Sequence, residues 1–301
     1  MQTTAQIMQK AYQAGLVVPA FNIPYLPMME PVIRAVVEQD AFALVAVARL
    51  EWTKFQARGM AEIHAEFVRL EKPAFVRLHL DHIPVIDEDN QRVDYLALIR
   101  QALDLGFASV MVDGSRLGLD ENIAATRQAV ELAHDHGVAC EAELGAVMGH
   151  EAGPVPPYEE LFASGRGFTD VEECWRFVHE TACDWLSVAI GNIHGAVSGA
   201  ARDAKKVEAR LNLDHLERLR QAAGIPLVLH GGSGVRREYL LGAVQRGITK
   251  VNVGTEIRQA YETRLRETGN EADAQQAVYE RTAWLLHDYF NLSGKRKQIA
   301  A

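Results

Sequence analysis

The sequence predicts one α/β domain of the (β/α)8 barrel class over residues 1–301, with an additional C-terminal helix at about 272–290. Three observations predict it. Eight short β-rich runs recur along the chain, each followed by a longer stretch with helical spacing, and eight such repeats in about 250 residues is the arithmetic of this barrel. Within the runs side chains alternate, which puts apolar residues on one face and polar residues on the other. The ionisable residues gather at the C-terminal ends of the runs, where barrels of this class carry their sites. A doubly wound open sheet is the rival, but it usually has fewer strands, and no GxGxxG follows the first run.

The runs are Leu16–Asn22, Phe42–Arg49, Ala74–Asp81, Ser109–Ser115, Ala139–Gly145, Trp185–Asn192, Pro226–Gly231 and Lys250–Thr255. Between them lie amphipathic stretches such as Asp120–His136, where Ile123, Arg127, Val130 and His134 step at helical spacing. Outward strand positions read apolar (Val110 and Val112, Leu186 and Val188, Leu227 and Leu229, Val251 and Val253), to meet the helices. Inward positions read polar: Ser109, Asp113, Glu141, Glu143, Ser187, His230, Lys250 and Asn252. The final stretch places Val278, Thr282, Leu285, Leu286 and Tyr289 on one face, as a docking or subunit-contact helix would.

Composition excludes several classes. With 48% hydrophobic and 24% charged residues the chain reads as an ordinary globular domain. No apolar run approaches the ~20 residues of a membrane span, and no charged-then-apolar leader opens the sequence. Cys140, Cys174 and Cys183 are an odd set without CxxC spacing, which suggests reduced thiols and a cytoplasmic location. A net charge of −9 argues against nucleic acid as a partner. An anionic ligand would therefore need a local trap.

The most informative stretch is His79-Leu80-Asp81-His82 at the end of the third run. With His194 and His230 after the sixth and seventh runs, His82 completes three imidazoles that could leave a fourth position open, the pattern of a catalytic zinc site. Singly, each reads equally as a hydrogen-bonded loop histidine. Asp81, beside a ligand histidine, is a candidate general acid or base. Asp113 and Glu143 read either as carboxylates bonded to backbone amides or as holders of a second metal. Gly231-Gly232-Ser233-Gly234 and Asn252-Val253-Gly254-Thr255 each lead into a predicted helix, so their N–H groups could cradle a phosphate, the trap that net charge does not supply. A long loop from Ala146 to about Gly167 reads as a functional lid or a disordered segment, and its Glu151 as a surface glutamate or a residue that enters the site on closure.

These motifs closely resemble the class II, zinc-dependent fructose-bisphosphate and tagatose-bisphosphate aldolases. The segments that carry the resemblance are Pro19-Ala20-Phe21-Asn22, His79–His82, Ser109–Ser115, Glu141–Gly145, Ile190-Gly191 with His194-Gly195, Leu229–Gly234 and Lys250–Glu256. The resemblance implies a homodimer or homotetramer that reversibly cleaves a phosphorylated ketose to dihydroxyacetone phosphate and an aldehyde. It implies Zn2+ on His82, His194 and His230, Asp81 at the C4 hydroxyl, and Glu151 as the lid acid at the dihydroxyacetone phosphate carbon. It also implies a phosphate site at Gly195, Gly231, Gly232, Ser233 and Asn252–Thr255, with a monovalent cation such as Na+ or K+ beside it. Asp113 and Glu143 match alternative positions for a second divalent ion. Asn22 and Arg49 are further candidates for substrate contact.

The sequence departs from the family at the other substrate end. The second run ends Val47-Ala48-Arg49-Leu50-Glu51-Trp52 instead of in a serine-bearing, glycine-rich segment. Residues 83–90 and 196–210 are extended, the latter with Arg202, Lys205 and Lys206, and the late Asp-Pro-Arg segment that grips a distal phosphate has no counterpart in Arg264–Gln276. Other readings of the same residues are a Schiff-base aldolase using Lys250, a zinc hydrolase, and a non-catalytic sugar-phosphate binder.

Overall fold

Alternation in the eight β-rich runs resolves into a closed parallel barrel, its strands hydrogen-bonded in chain order and the eighth pairing back to the first. The computed structural model describes residues 2–70, 72–145, 158–192, 210–232 and 234–300. The strands are β1 Val18–Asn22, β2 Ala43–Ala48, β3 Val76–Pro84, β4 Ser109–Asp113, β5 Ala139–Leu144, β6 Trp185–Val188, β7 Leu227–Leu229 and β8 Ile248–Val253. The helices are α1 Thr4–Ala14, α2 Met29–Glu38, α3 Arg49–Thr53, α4 Met60–Leu70, α5 Tyr95–Leu105, α6 Leu119–Asp135, α7 Tyr158–Ser164, α8 Val171–Thr181, α9 Leu213–Ala223, α10 Arg237–Val244, α11 Thr255–Thr268 and α12 Glu271–Trp284. No helix among the described residues is long and apolar enough to cross a membrane.

Every expected strand forms, but β6 and β7 end earlier than the apolar pattern suggests. Gly191 and Gly231 adopt positive φ (107° and 66°), which turns the chain out of the ladder. β3 instead runs past Asp81 to Pro84 and carries a bulge, with Leu80 opposite Val110 and Ile83 opposite Val112, so three steps on β3 face two on β4. Strict alternation would send His82 outward. The extra residue, with His82 itself at φ 35°, lets Asp81 and His82 both face the barrel interior while Leu80 and Ile83 stay in the outer core.

The interior is layered along the axis. At its N-terminal end Val18, Ala20, Leu44, Ala46, Trp185 and Val228 pack with Ile7, Met8 and Ala11 of α1 and with Ile299 and Ala300 of the tail. This apolar floor corrects the expectation that inward positions are polar throughout. Polar residues fill only the layers above it. The larger cluster lies between strands and helices.

Two loop expectations change. The stretch read as one loop from Ala146 to Gly167 contains α7, whose first turn carries Glu159 and Glu160, favoured at a helix N-terminus; residues 146–157 lie outside the described residues. The glycine run after β7 does not lead straight into a helix, since Val235 and Arg236 precede α10, whereas Gly254 directly precedes α11. The C-terminal stretch forms α12 and then a π-helical turn, Leu285–Tyr289. Val278, Thr282, Leu285, Leu286 and Tyr289 are buried as expected. The helix docks on α2 and α11 of its own chain, and the Tyr289 hydroxyl donates to Val235 O at 2.6 Å.

Candidate active site

The layers above the floor hold an unusual density of buried charge. Asp81 is fully buried. Its carboxylate accepts from Asn22 Nδ2 at 2.8 Å and from Asn252 Nδ2 at 3.0 Å to each oxygen, with Lys250 Nζ 3.5 Å away. Burial by itself would raise its pKa, but Lys250 and the neighbouring histidines outweigh that and hold it well below the ordinary value. Asp81 is thus an ionised carboxylate with fixed orientation.

Glu141, one turn of the alternation below Glu143 on β5, is the hub beneath it. Lys250 Nζ reaches its two oxygens at 3.0 and 2.8 Å, Trp185 Nε1 donates at 2.6 Å, and His230 Nε2 lies at 2.9 Å. Against burial, Lys250 and His230 hold Glu141 down at about 2. His79 sits between the acids, 3.5 Å from Glu141 and 3.6 Å from Asp81, with Nδ1 2.9 Å from Ser109 Oγ. His79, Asp81 and Glu141 are close enough to hold an ion, but the Lys250 ammonium already occupies that position. A lysine locked between two carboxylates is also a poor nucleophile, which weighs against a Schiff base there.

The opposite face of His230 is differently built. Nδ1 lies 3.0 Å from Glu143 Oε2, and the His230 ring is 4.3 Å from that of His82 between centroids. His82 Nδ1 is 3.5 Å from Asp113 Oδ2 and 3.8 Å from Glu143 Oε2. Asp113 Oδ1 accepts the Ser115 N–H at 2.9 Å, the backbone-bonded reading, while its Oδ2 faces His82. Glu143 is buried, and among the described residues the partners of its Oε2 are the His230 and His82 imidazoles. Its pKa is raised by burial and by Asp113. Although burial opposes it, Glu143 and Glu141 push His230 up to about 10, so a proton stands where these carboxylates call for a cation.

The pairing of charges decides what the donor set suits. Asp81 and Glu141 share the buried Lys250 ammonium, whereas Asp113 and Glu143 face the His82 and His230 imidazoles. Isolated buried charge is costly, so it is paired or coordinates a metal. His82 and His230 with Asp81, or His82 with Asp113 and Glu143, bring nitrogen and oxygen donors within reach of one ion. His230 Nε2 on Glu141 is the outer hydrogen bond that orients a ligand imidazole. The residues present fit a divalent cation.

The remaining expected positions divide. Gly231, Gly232, Asn252, Val253, Gly254 and Thr255 lie together at the ends of β7 and β8. A side chain at Gly232 would strike Val251 Cγ1 at 2.3 Å, so only glycine fits there. The Asn252 side chain turns to Asp81, a role the sequence did not suggest. Arg49 begins α3 at the barrel mouth, its guanidinium 3.4 Å from Asp87 and 4.0 Å from Glu88. His194, Glu151, Gly195, Ser233, Arg202, Lys205 and Lys206 lie outside the described residues. Sequence reasoning missed the hub role of Glu141, although its inward alternation with Glu143 is a visible signal.

The family model described as fructose-bisphosphate aldolase class-II matches residues 2–294. The chain belongs to the class II fructose-bisphosphate aldolase family. Class II aldolases are metal-dependent carbon–carbon lyases that act on phosphorylated ketoses, and this one catalyses aldol cleavage. A fructose-bisphosphate aldolase of Geobacillus stearothermophilus is 32% identical over 266 residues, 87% of this chain and 83% of that protein. A 6-phospho-5-dehydro-2-deoxy-D-gluconate aldolase of Halalkalibacterium halodurans is 31% identical over 258 residues, 85% and 81% respectively. The crystal structure of the YdjI aldolase from Escherichia coli K12 superposes with a TM-score of 0.78 at 27% identity, covering 97% of this chain and 98% of that one. In this aldolase Lys250→Met would leave Glu141 and Asp81 buried without their ammonium. We expect a loss of about 3–5 kcal/mol, the usual cost of breaking a buried pair from one side, read from urea unfolding. An unchanged midpoint would show that the carboxylates do not depend on Lys250.

Proposed function

We propose that the aldolase is zinc-dependent and cleaves a ketose 1-phosphate to dihydroxyacetone phosphate and an aldehyde. The observation that carries this is the pair of carboxylates, Asp113 and Glu143, that face the two imidazoles of His82 and His230. These histidines, joined by His194, would hold the ion, with Asp113 and Glu143 as its alternative or second-ion ligands. When bound, the ion supplies Lewis-acid polarisation of the ketose oxygens and stabilises the negative charge that bond cleavage releases. Asp81, ionised and oriented by Asn22, Asn252 and Lys250, takes the C4 hydroxyl proton as the C3–C4 bond breaks. Glu151 returns a proton to the triose carbon. Backbone N–H groups at the start of α11 and after β7 face the phosphate, with a Na+ or K+ ion beside it.

Metal removal tests the first claim. Chelation is expected to abolish cleavage, and zinc or cobalt to restore it. Full activity in metal-free protein, or inactivation by borohydride with substrate through Lys250, would replace the proposal by a Schiff-base mechanism.

The two acids are expected to separate kinetically. Asp81→Ala lowers cleavage by about 10²–10⁴-fold, the worth of a positioned acid or base, while zinc stays bound. Glu151→Ala also slows exchange of the dihydroxyacetone phosphate proton with solvent, and exchange at the wild-type rate removes the lid assignment.

Recognition of the other substrate end supports a substrate distinct from fructose 1,6-bisphosphate. Where the family's distal-phosphate arginine segment would lie, Gly269 at φ 66° and Asn270 join α11 directly to α12. Relatives of near-equal identity differ in substrate by name, and that of Halalkalibacterium halodurans is a gluconate, with a carboxylate opposite its phosphate. Arg49 at the mouth, or Arg202, is the candidate partner for such an end, since a guanidinium grips carboxylate or phosphate bidentately. We therefore expect poor turnover of fructose 1,6-bisphosphate. A kcat/KM of about 10⁴ M⁻¹s⁻¹ or more, within the normal enzymatic range, would sink that expectation.

A further inference from the structure

A polar group that the aldol mechanism does not use lies beneath the imidazoles. The Trp185 ring belongs to the apolar floor, yet Trp185 is also the register partner of Glu141 across β6 and β5. Its indole Nε1–H donates to Glu141 Oε2 at 2.6 Å, with both residues buried. Lys250 already meets this acid at both oxygens, 3.0 and 2.8 Å away, so the indole adds direction rather than charge. The last torsion of a glutamate is broad, and one ammonium shared by both oxygens does not fix the plane of the carboxylate. A second donor to one side of the ammonium does. With Oε2 held by the indole, Oε1 is presented to His230 Nε2 at 2.9 Å. An ionised carboxylate only accepts, so Nε2 is the donor. That leaves Nδ1, 3.0 Å from Glu143 Oε2, as the nitrogen that faces the cation position.

We propose that Trp185 is a positioning residue for His230, its indole N–H fixing the Glu141 carboxylate that sets which nitrogen of His230 faces the ion. The proposal rests on the metal-dependent reading above. A ring that only filled the floor would need no N–H, and its replacement would register in stability and not at the metal.

Zinc affinity of the full-length protein, measured by competition with a chromophoric chelator at one pH, separates the two roles. Trp185→Phe keeps an aromatic ring in the floor and removes the donor. We expect it to weaken zinc binding about 10-fold, the lower end of what outer partners of a metal ligand contribute. Leu44→Val thins the same floor from β2. It is expected to lower the urea midpoint of the metal-free protein while zinc binds as in the wild type. A measurement on the unsubstituted protein checks the same contact. Trp185 is 1% exposed, against 54% for Trp175 and 40% for Trp284, and Trp52 is only partly buried. The indole N–H that exchanges slowest with D2O is therefore that of Trp185, and its 15N-indole signal is expected to move when zinc is added. Wild-type zinc affinity in Trp185→Phe overturns the proposal, as does an equal loss in Leu44→Val or an indole signal that zinc leaves in place. If the unsubstituted protein binds no zinc, the metal-dependent reading falls and this proposal with it, and that is read before any variant.

Discussion

Burying carboxylates on the axis of a barrel is the constraint from which the rest of this structure follows. Each such ion carries a desolvation penalty of several kcal/mol that only close, complete pairing repays. Lys250 repays it for Glu141 and, from farther away, for Asp81. Trp185 and the amides of Asn22 and Asn252 satisfy lone pairs that Lys250 does not reach. One layer higher, Asp113 and Glu143 face the imidazoles of His82 and His230, and among the described residues no ammonium is paired with them. That unfinished pairing marks where a cation belongs. The floor of α1 and tail residues closes the opposite end, so the charged layers open only toward the mouth.

The bulge in β3 is the backbone device that makes this arrangement possible. Two consecutive side chains of a regular strand cannot face the same way. Asp81 and His82 do so because one extra residue is inserted and His82 takes a left-handed conformation that is uncommon for a non-glycine residue. Such a conformation persists only where the surroundings over-determine it, and it collects at functional sites. Here the surroundings are the Asn22 and Asn252 amides on Asp81 and the Asp113 and Glu143 carboxylates facing His82.

Much of this was legible in the sequence because barrels translate alternation into position. Period-two patterning named all eight strands and put Asp81, Asp113, Glu143, His230 and Asn252 at one end. It could not foresee the bulge, which breaks the period it relies on. It also could not divide labour among inward residues, since Glu141 and Glu143 occupy equivalent positions of one strand and differ only in their partners across the barrel, 44 to 109 residues away in sequence. The glycine-rich ends of β6 and β7 left the ladder early because positive φ is cheap for glycine, which an apolar pattern does not register.

The two ends of the site are held by forces of different strength. The phosphate end proposed above is built from β7, β8 and the first turn of α11, where a side chain at Gly232 would collide with Val251. The proposed distal end lies beside residues 85–92, which follow β3. Arg116 donates to Asp87 O at 2.7 Å, and Lys54 pairs with Glu88 at 2.9 Å. Arg49 approaches Asp87 more loosely, at 3.4 Å. Of these, the Lys54–Glu88 pair is the half-exposed one, and a pair so placed is worth about 0–1 kcal/mol, against several for one broken pair inside the barrel. Substitutions along this rim can therefore reshape the distal pocket without disturbing Asp81 or the imidazoles.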